Sequence, residues 1–139
     1  MRSARLAVLL SLVVVVSALA AGKPGASPFI KTWNTNWDRP WGSGEPGSYE
    51  VKATKAPDYL FGKRTEPTAE ACNGMYGRVS PDGNTWSGVW WSTEAYGEFT
   101  WKLDGKGGFK GSYDYTDPAS NYAGTYPKTY SWWSLPKTP

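Results

Sequence analysis

The sequence predicts an all-β protein, an antiparallel meander of about eight strands that closes into a small barrel or folds into a sandwich. Three observations lead there. No long segment carries apolar residues at helical period. From Cys72 onward four segments share the pattern aromatic-x-Gly-x-aromatic, the first in degraded form: Cys72-Asn-Gly-Met-Tyr76, Trp86-Ser-Gly-Val-Trp90, Phe109-Lys-Gly-Ser-Tyr113 and Tyr122-Ala-Gly-Thr-Tyr126. Turn signals separate them: Pro81-Asp-Gly-Asn84, Asp104-Gly-Lys-Gly107 and Thr116-Asp-Pro-Ala-Ser-Asn121. Closure is favoured for so many short strands, because a barrel leaves no unpaired edge.

Taken from the start, residues 1–20 read as a secretory signal peptide. Arg2 and Arg5 precede an apolar run, and Ala18-Leu-Ala20 forms a small-x-small cleavage site. The uncharged stretch is short of the roughly 20 residues that a helical membrane span needs. Residues 21–28, rich in Gly and Pro, form a flexible leader. A single β domain follows over 29–135, with a tail at 136–139. Within the domain Phe29–Thr35 is the first strand, and Arg39–Gly47 is a loop by composition, since proline and glycine punctuate it. Tyr49–Thr54 alternates like a strand, Tyr59–Phe61 is a further short one, and Thr65–Ala71 accommodates a helical turn. The strands Tyr76–Ser80, Thr85–Ser92, Gly97–Leu103 and Gly108–Tyr115 complete the regular half.

In a strand, side chains alternate between faces, so both aromatics of each repeat share a side with the glycine between them. The bare glycine leaves room for a ring from the next strand. This predicts Trp86 and Trp90 facing inward with Phe109, Tyr113, Tyr122 and Tyr126, and Trp91 facing out. In the following strand Phe99 and Trp101 share one face, and Glu98, Thr100 and Lys102 the other. Trp132 and Trp133, being adjacent, must face opposite ways.

Thr32-Trp-Asn-Thr-Asn-Trp-Asp38, together with the glycine-aromatic hairpins from Asn73 to Tyr113, resembles a class of small secreted β proteins with a Trp-x-Thr-x-Trp first strand. The likeness covers most of Phe29–Tyr126. Asp38 stands where that class has glycine, and residues 39–71 depart from the repeat. The class has no settled activity, so the resemblance implies a fold and an extracellular setting. The tryptophan of the first strand also resembles that of calycins, the lipocalin-like and avidin-like barrels, which implies a ligand-holding barrel.

The composition excludes several chemistries. With no histidine, Ser-His-Asp and Cys-His catalytic units and imidazole-bound zinc are impossible. The single cysteine, Cys72, cannot form an intramolecular disulfide and reads as a small buried side chain in a strand. Two of the 15 basic residues leave with the signal peptide, so the mature chain is close to neutral against its 12 acids. It therefore lacks the one-signed field that nucleic-acid binding requires. A carboxylate pair for glycoside hydrolysis is offered by Glu94 and Glu98, which flank Tyr96-Gly97, or by another carboxyl pair. The other acids, Asp82 and Asp104 among them, sit in turns where Asp bonds backbone. No cofactor and no metal are expected.

The aromatic content exceeds what a small core needs. Trp33, Trp37 and Trp41 recur at four-residue spacing through a polar segment. Flat rings beside short polar side chains suit sugar recognition: rings stack on the apolar face of a pyranose while polar groups bond its hydroxyls. The candidate ligand-binding residues are Trp37, Trp41 and Trp91 with Asn36 and Asp38. The leading expectation is a secreted, non-catalytic domain that binds a carbohydrate or another extracellular ligand. The alternatives are a structural or surface-associated extracellular protein, and a small glycoside-acting enzyme. The expected partners exclude nucleic acid, and no membrane span remains after signal removal.

Overall fold

The computed structural model describes residues 27–39, 42–67, 72–116 and 129–136, apart from the side chains of 43–45. The signal segment, most of the leader, Trp41, Tyr122 and Tyr126, and the last residues of the tail lie outside the described residues. So do residues 68–71 of the stretch read as a helical turn and residues 117–121 of the last turn.

Eight strands follow in chain order: β1 (Thr32–Arg39), β2 (Gly42–Ala53), β3 (Tyr59–Arg64), β4 (Gly74–Val79), β5 (Thr85–Trp91), β6 (Tyr96–Leu103), β7 (Phe109–Asp114) and β8 (Thr129–Ser134). Each pairs antiparallel with the next. β8 returns to β1 through Thr35↔Ser134, Asn36↔Trp133 and Trp37↔Trp132, so the sheet is a closed barrel rather than a sandwich. One buried hydroxyl ties that seam. Thr35 Oγ1 accepts from Trp132 Nε1 at 3.0 Å and donates to the Gly47 carbonyl at 2.9 Å, linking β8, β1 and β2.

Alternation decides what fills the barrel. Trp86 and Trp90 of β5, Phe99 and Trp101 of β6, and Phe109 and Tyr113 of β7 all point inward, while Trp91, Glu98, Thr100 and Lys102 face out. Trp132 is buried and its neighbour Trp133 lies on the other face. Trp101 occupies the axis. Its ring stacks on Phe109 at 3.9 Å and meets Trp132 at 5.0 Å, Trp86 at 5.2 Å, Trp33 at 6.2 Å and Tyr49 at 6.3 Å. Rings from opposite walls thus touch across the lumen, filling the space in which a ligand-holding barrel would keep its guest.

The glycines act in two ways. A Cβ on Gly77 would collide with the Ser87 carbonyl, and one on Gly88 with the Tyr76 carbonyl and Gly77 Cα. These two residues face each other across β4 and β5, and only glycine permits that approach. At Gly74 and Gly62 the space is taken by a ring instead, that of Trp91 and that of Trp86 respectively. The expectation of a ring over each repeat glycine therefore holds at Gly74 and not at Gly88.

Three expectations are corrected. The first repeat is flipped: Met75 faces the core, and Gly74 and Tyr76 face outward. The segment read as a loop over 39–47 is largely strand, since β2 starts at Gly42. Proline is tolerated there because the β2–β3 ladder begins only at Tyr49↔Arg64. The Pro46 carbonyl points to the β3 side, where it accepts from Arg64, so the missing N–H on that side forfeits no ladder bond. Cys72 is buried as expected, but it precedes β4 instead of lying in a strand.

The turns use the acids as the sequence implies. Asp82 accepts from the Ser80 hydroxyl and the Asn84 amide, with Gly83 at φ 76°. Asp104 accepts from the Lys106 and Gly108 amides across Gly105 and Gly107, both at positive φ. These bonds hold both carboxyls below the ordinary carboxylate range, the Ser80 hydroxyl leading for Asp82 and the Lys106 amide for Asp104.

Substitution of Trp101 by alanine is expected to cost about 3–5 kcal/mol, the range for emptying a buried aromatic site. Gly88→Ala is expected to cost about 1–3 kcal/mol by overpacking. Urea denaturation of both variants measures the two losses, and a smaller loss for Trp101→Ala than for Gly88→Ala contradicts the axial role of that ring.

Candidate functional site

Among the described residues the exposed large apolar side chains, Leu135 apart, fall in one set. On β3 this is Phe61, with half-buried Tyr59 on the same face; on β4 it is Tyr76, on β5 Val89 and Trp91, and on β6 Tyr96. Phe61 lies opposite Tyr76, Tyr76 opposite Val89, and Trp91 opposite Tyr96, so the set crosses four neighbouring strands without a gap. At the usual spacing between strands that is a width of about 14 Å.

The rings are held, not loose. Tyr59 and Tyr76 stack at 5.3 Å with an interplanar angle of 19°. The Trp91 ring lies across Gly74 and meets Phe61 at 6.1 Å and 38°. One face of Trp91 is therefore spent on the wall, and the side chain keeps 38% of its surface exposed. Polar groups border the strip. Arg78 pairs in register with Tyr59, Lys63 with Gly74, Lys52 with Phe61 and Glu98 with Val89. Lys52 forms an exposed ion pair with Glu50 at 3.1 Å, while Lys63, Arg78 and Glu98 are exposed as well.

The sequence-predicted site residues are not brought together. β1 and β5 are four strands apart in the ring, so Trp91 lies on the wall opposite Trp37, Asn36 and Asp38. Trp37 itself is no surface ring. It shares the parity of Trp33 and Thr35, is 6% exposed and packs edge-on against Trp132 at 6.0 Å and Tyr49 at 6.2 Å. Asn36 is half-buried, and its Oδ1 accepts from the Trp37 amide. Asp38 is half-buried and its carbonyl accepts from the Tyr113 hydroxyl. Trp41 lies outside the described residues. Of the five, Trp91 belongs to the exposed strip. Its companions Tyr59, Phe61, Tyr76 and Tyr96 were legible only by outward parity, which the repeat template masks at Tyr76.

Glu94 and Glu98 are both exposed, Glu94 in the β5–β6 turn and Glu98 on the outer wall of β6. The Glu94 amide donates to Ser92 Oγ, and the Glu98 amide donates to Asp114 Oδ1.

The barrel ends differ. At one, a cavity of about 460 Å³ lies between Lys31–Asn34, the β6–β7 turn and Ser134–Pro136. There the Lys31 amino group sits 3.9 Å over the Trp33 ring and 3.4 Å from the Gly107 carbonyl, so the barrel's own groups engage across its mouth. The other end holds Tyr49, Arg64 and Cys72. The Tyr49 hydroxyl donates to the Cys72 carbonyl at 3.0 Å, and Cys72 Sγ lies 3.4 Å from the Gly74 carbonyl. Burial pushes the Cys72 thiol up to about 12, and it raises Tyr49 well above the phenol range. Tyr113 is raised too, again chiefly by burial.

No known family model matches the chain, and no curated protein matches it. Among solved structures a redesigned β-barrel is similar, with a TM-score of 0.51 at 13% identity over 84% of this chain and 98% of that one. That likeness concerns the barrel fold. No helix among the described residues is long and apolar enough to cross a membrane.

The buried thiol and phenols give a pH dependence with a definite sign. Their folded pKa values lie above the unfolded ones, so the unfolded chain binds fewer protons once the pH passes the ordinary thiol range near 9. Stability is therefore full at neutral pH and falls as pH rises from about 9 toward 12. Denaturation midpoints across that range should decline, and folded Cys72 should resist a thiol reagent at mildly alkaline pH until urea exposes it. Rapid labelling of the native protein contradicts the buried, protonated thiol.

Proposed function

We propose that the chain acts outside the cell, after loss of residues 1–20, as a non-catalytic β-barrel that binds carbohydrate on the outer wall of β3–β6. The observation that carries this reading is the exposed strip Phe61, Tyr76, Val89, Trp91 and Tyr96, continuous across four strands and bordered by the half-buried Tyr59. Pyranose rings have an apolar face that stacks on such side chains, and their hydroxyls bond polar groups at the edge, here Lys63, Arg78 and Glu98. The wall of a barrel is convex, so contact is broad and shallow. That geometry fits an extended glycan chain lying across the strip better than a single sugar held in a pocket. Affinity then comes from several weak contacts along one polymer. The likeness of the first strand and hairpins to small secreted β proteins supports the extracellular setting.

A second reading rests on the same strip. Phe61 and Val89 carry no hydrogen-bonding group, and contiguous exposed apolar surface of this kind also marks self-association. The protein would then be structural, with the strip buried between copies.

Retention on insoluble polysaccharide gels separates the two. The mature chain should be retarded by at least one glycan, and Trp91→Ala and Tyr76→Ala should each weaken retention by about tenfold, the loss of roughly 1.4 kcal/mol of stacking. Trp37→Phe, inside the barrel, should leave it unchanged. No retention on any glycan, with a dimer that Trp91→Ala dissociates, decides for the structural reading.

A further inference from the structure

At the end of the barrel away from the 460 Å³ cavity lies a charge with no counter-charge among the described residues. Arg64 closes β3 and is 7% exposed. Its Nη2 donates to the Pro46 carbonyl at 3.4 Å, a long bond, and its guanidinium carbon sits 5.2 Å from the centre of the Trp37 ring. Nε and Nη1 are buried and have no hydrogen-bond partner. Among the described residues no acid forms an ion pair with it.

The neighbouring groups do not supply the missing charge. Tyr49 lies opposite Arg64 in the β2–β3 register with its hydroxyl near the guanidinium, whose charge favours the phenolate against the larger effect of burial. That hydroxyl donates to the Cys72 carbonyl, leaving Nε and Nη1 without an acceptor. Burial keeps both protonated, so neither is an anion at neutral pH. A face of Trp37 offsets part of the cost of taking a guanidinium out of water, but it bonds none of the N–H groups. Buried N–H donors are nearly always satisfied, and each one left alone costs free energy on its own account. Replacing Arg64 by an apolar residue would remove that cost, so a purely structural side chain is a poor account of an arginine here.

We propose that Arg64 anchors an anion site at this mouth of the barrel, and that its ligand is the carboxylate of a small acid with an apolar body. A carboxylate accepts from two neighbouring guanidinium N–H groups, Nε with Nη2 or Nη1 with Nη2, and either fork gives an acceptor to one of the two nitrogens that lack one. A singly charged group matches the single guanidinium, and Trp37, with Tyr49 packed against it, provides the aromatic surroundings. The site lies on β1–β3 and is separate from the outer strip, so it stands or falls independently of glycan binding.

The test uses the mature chain labelled with ¹⁵N-arginine, the Nε–H resonance of Arg64 being assigned by its loss in Arg64→Lys. Sodium benzoate, acetate and galacturonate are titrated against sodium chloride at matched ionic strength, with galactose as the neutral sugar. Benzoate should displace that resonance saturably and raise the thermal midpoint, acetate should do so more weakly, and chloride should do neither. Arg64→Met should lose the stabilisation. Displacement by galacturonate as well as benzoate assigns the site to sugar acids, and displacement by benzoate alone assigns it to small free acids. A resonance that no carboxylate moves overturns the proposal, and so does equal stabilisation of wild type and Arg64→Met. If Arg64→Met does not fold, the wild-type resonance and Arg64→Lys still decide.

Discussion

The structure depends on the meeting of indole and phenyl rings at the barrel axis. Trp101 is the hinge of that arrangement: it touches Phe109 of β7, Trp132 of β8, Trp33 of β1, Tyr49 of β2 and Trp86 of β5. Cys72 is free, so no intramolecular disulfide shares the task of closing the sheet. Large rings bury about 150–250 Å² each. Their contacts are reached only if strands distant in sequence come round to face one another. Closure and core formation are one event here, and the Thr35 bonds to Trp132 and Gly47 then fix the register of the last seam.

The same constraint explains why one wall is aromatic on its outside. The inward positions of β3 and β4 include Leu60, Gly62, Met75 and Gly77, with no ring among them. Trp86 from β5 lies over Gly62, 3.0 Å from the position a Cβ would take there. The lumen on that side is filled by a neighbour's indole, so the aromatics of β3 and β4 have no room inside. Tyr59, Phe61 and Tyr76 take the outer face, where Val89, Trp91 and Tyr96 extend the set. Core packing and exposed strip are two consequences of one distribution of volume.

Alternation made β5, β6 and β7 legible in the sequence, because each carries two large rings of one parity, with a glycine of that same parity, and mostly polar residues at the other. Trp86, Trp90, Phe99, Trp101, Phe109 and Tyr113 were assigned to the correct face on that ground, as was Trp91 to the other. The rule failed where sequence similarity and facing part company. Cys72–Tyr76 looks like a copy of the repeat, yet Met75 fills the core and Tyr76 does not. It failed again over residues 42–47, whose glycines and proline look like a loop; Pro46 is allowed because β2 outruns its neighbour β3. Trp37 was misplaced because the polar residues around it suggested surface, although parity with Trp33 already put it inside. The exposed strip was the least legible feature, since it exists only through the pairing of β3 with β4 and of β4 with β5. No single segment displays it.

What the barrel offers a ligand follows from rigidity. The strip residues lie on strands, and loops that would have to order on binding are not part of it. Tyr59 is already stacked on Tyr76, and Trp91 is pressed on Gly74 beside Phe61. Little rotamer freedom remains to be lost when something lies across them. The opposing cost is that these four rings, unlike Tyr96, have each given up surface to a neighbour, so the contact with a ligand is thin. A stiff, shallow platform gains affinity by repetition along an extended partner and gains little from a compact one. The buried guanidinium of Arg64 is the reverse kind of site: one strong charge, enclosed by rings, with donors awaiting an acceptor. In a barrel whose lumen is full, recognition among the described residues falls to the outer wall and the mouths, and the distribution of rings determines the character of both.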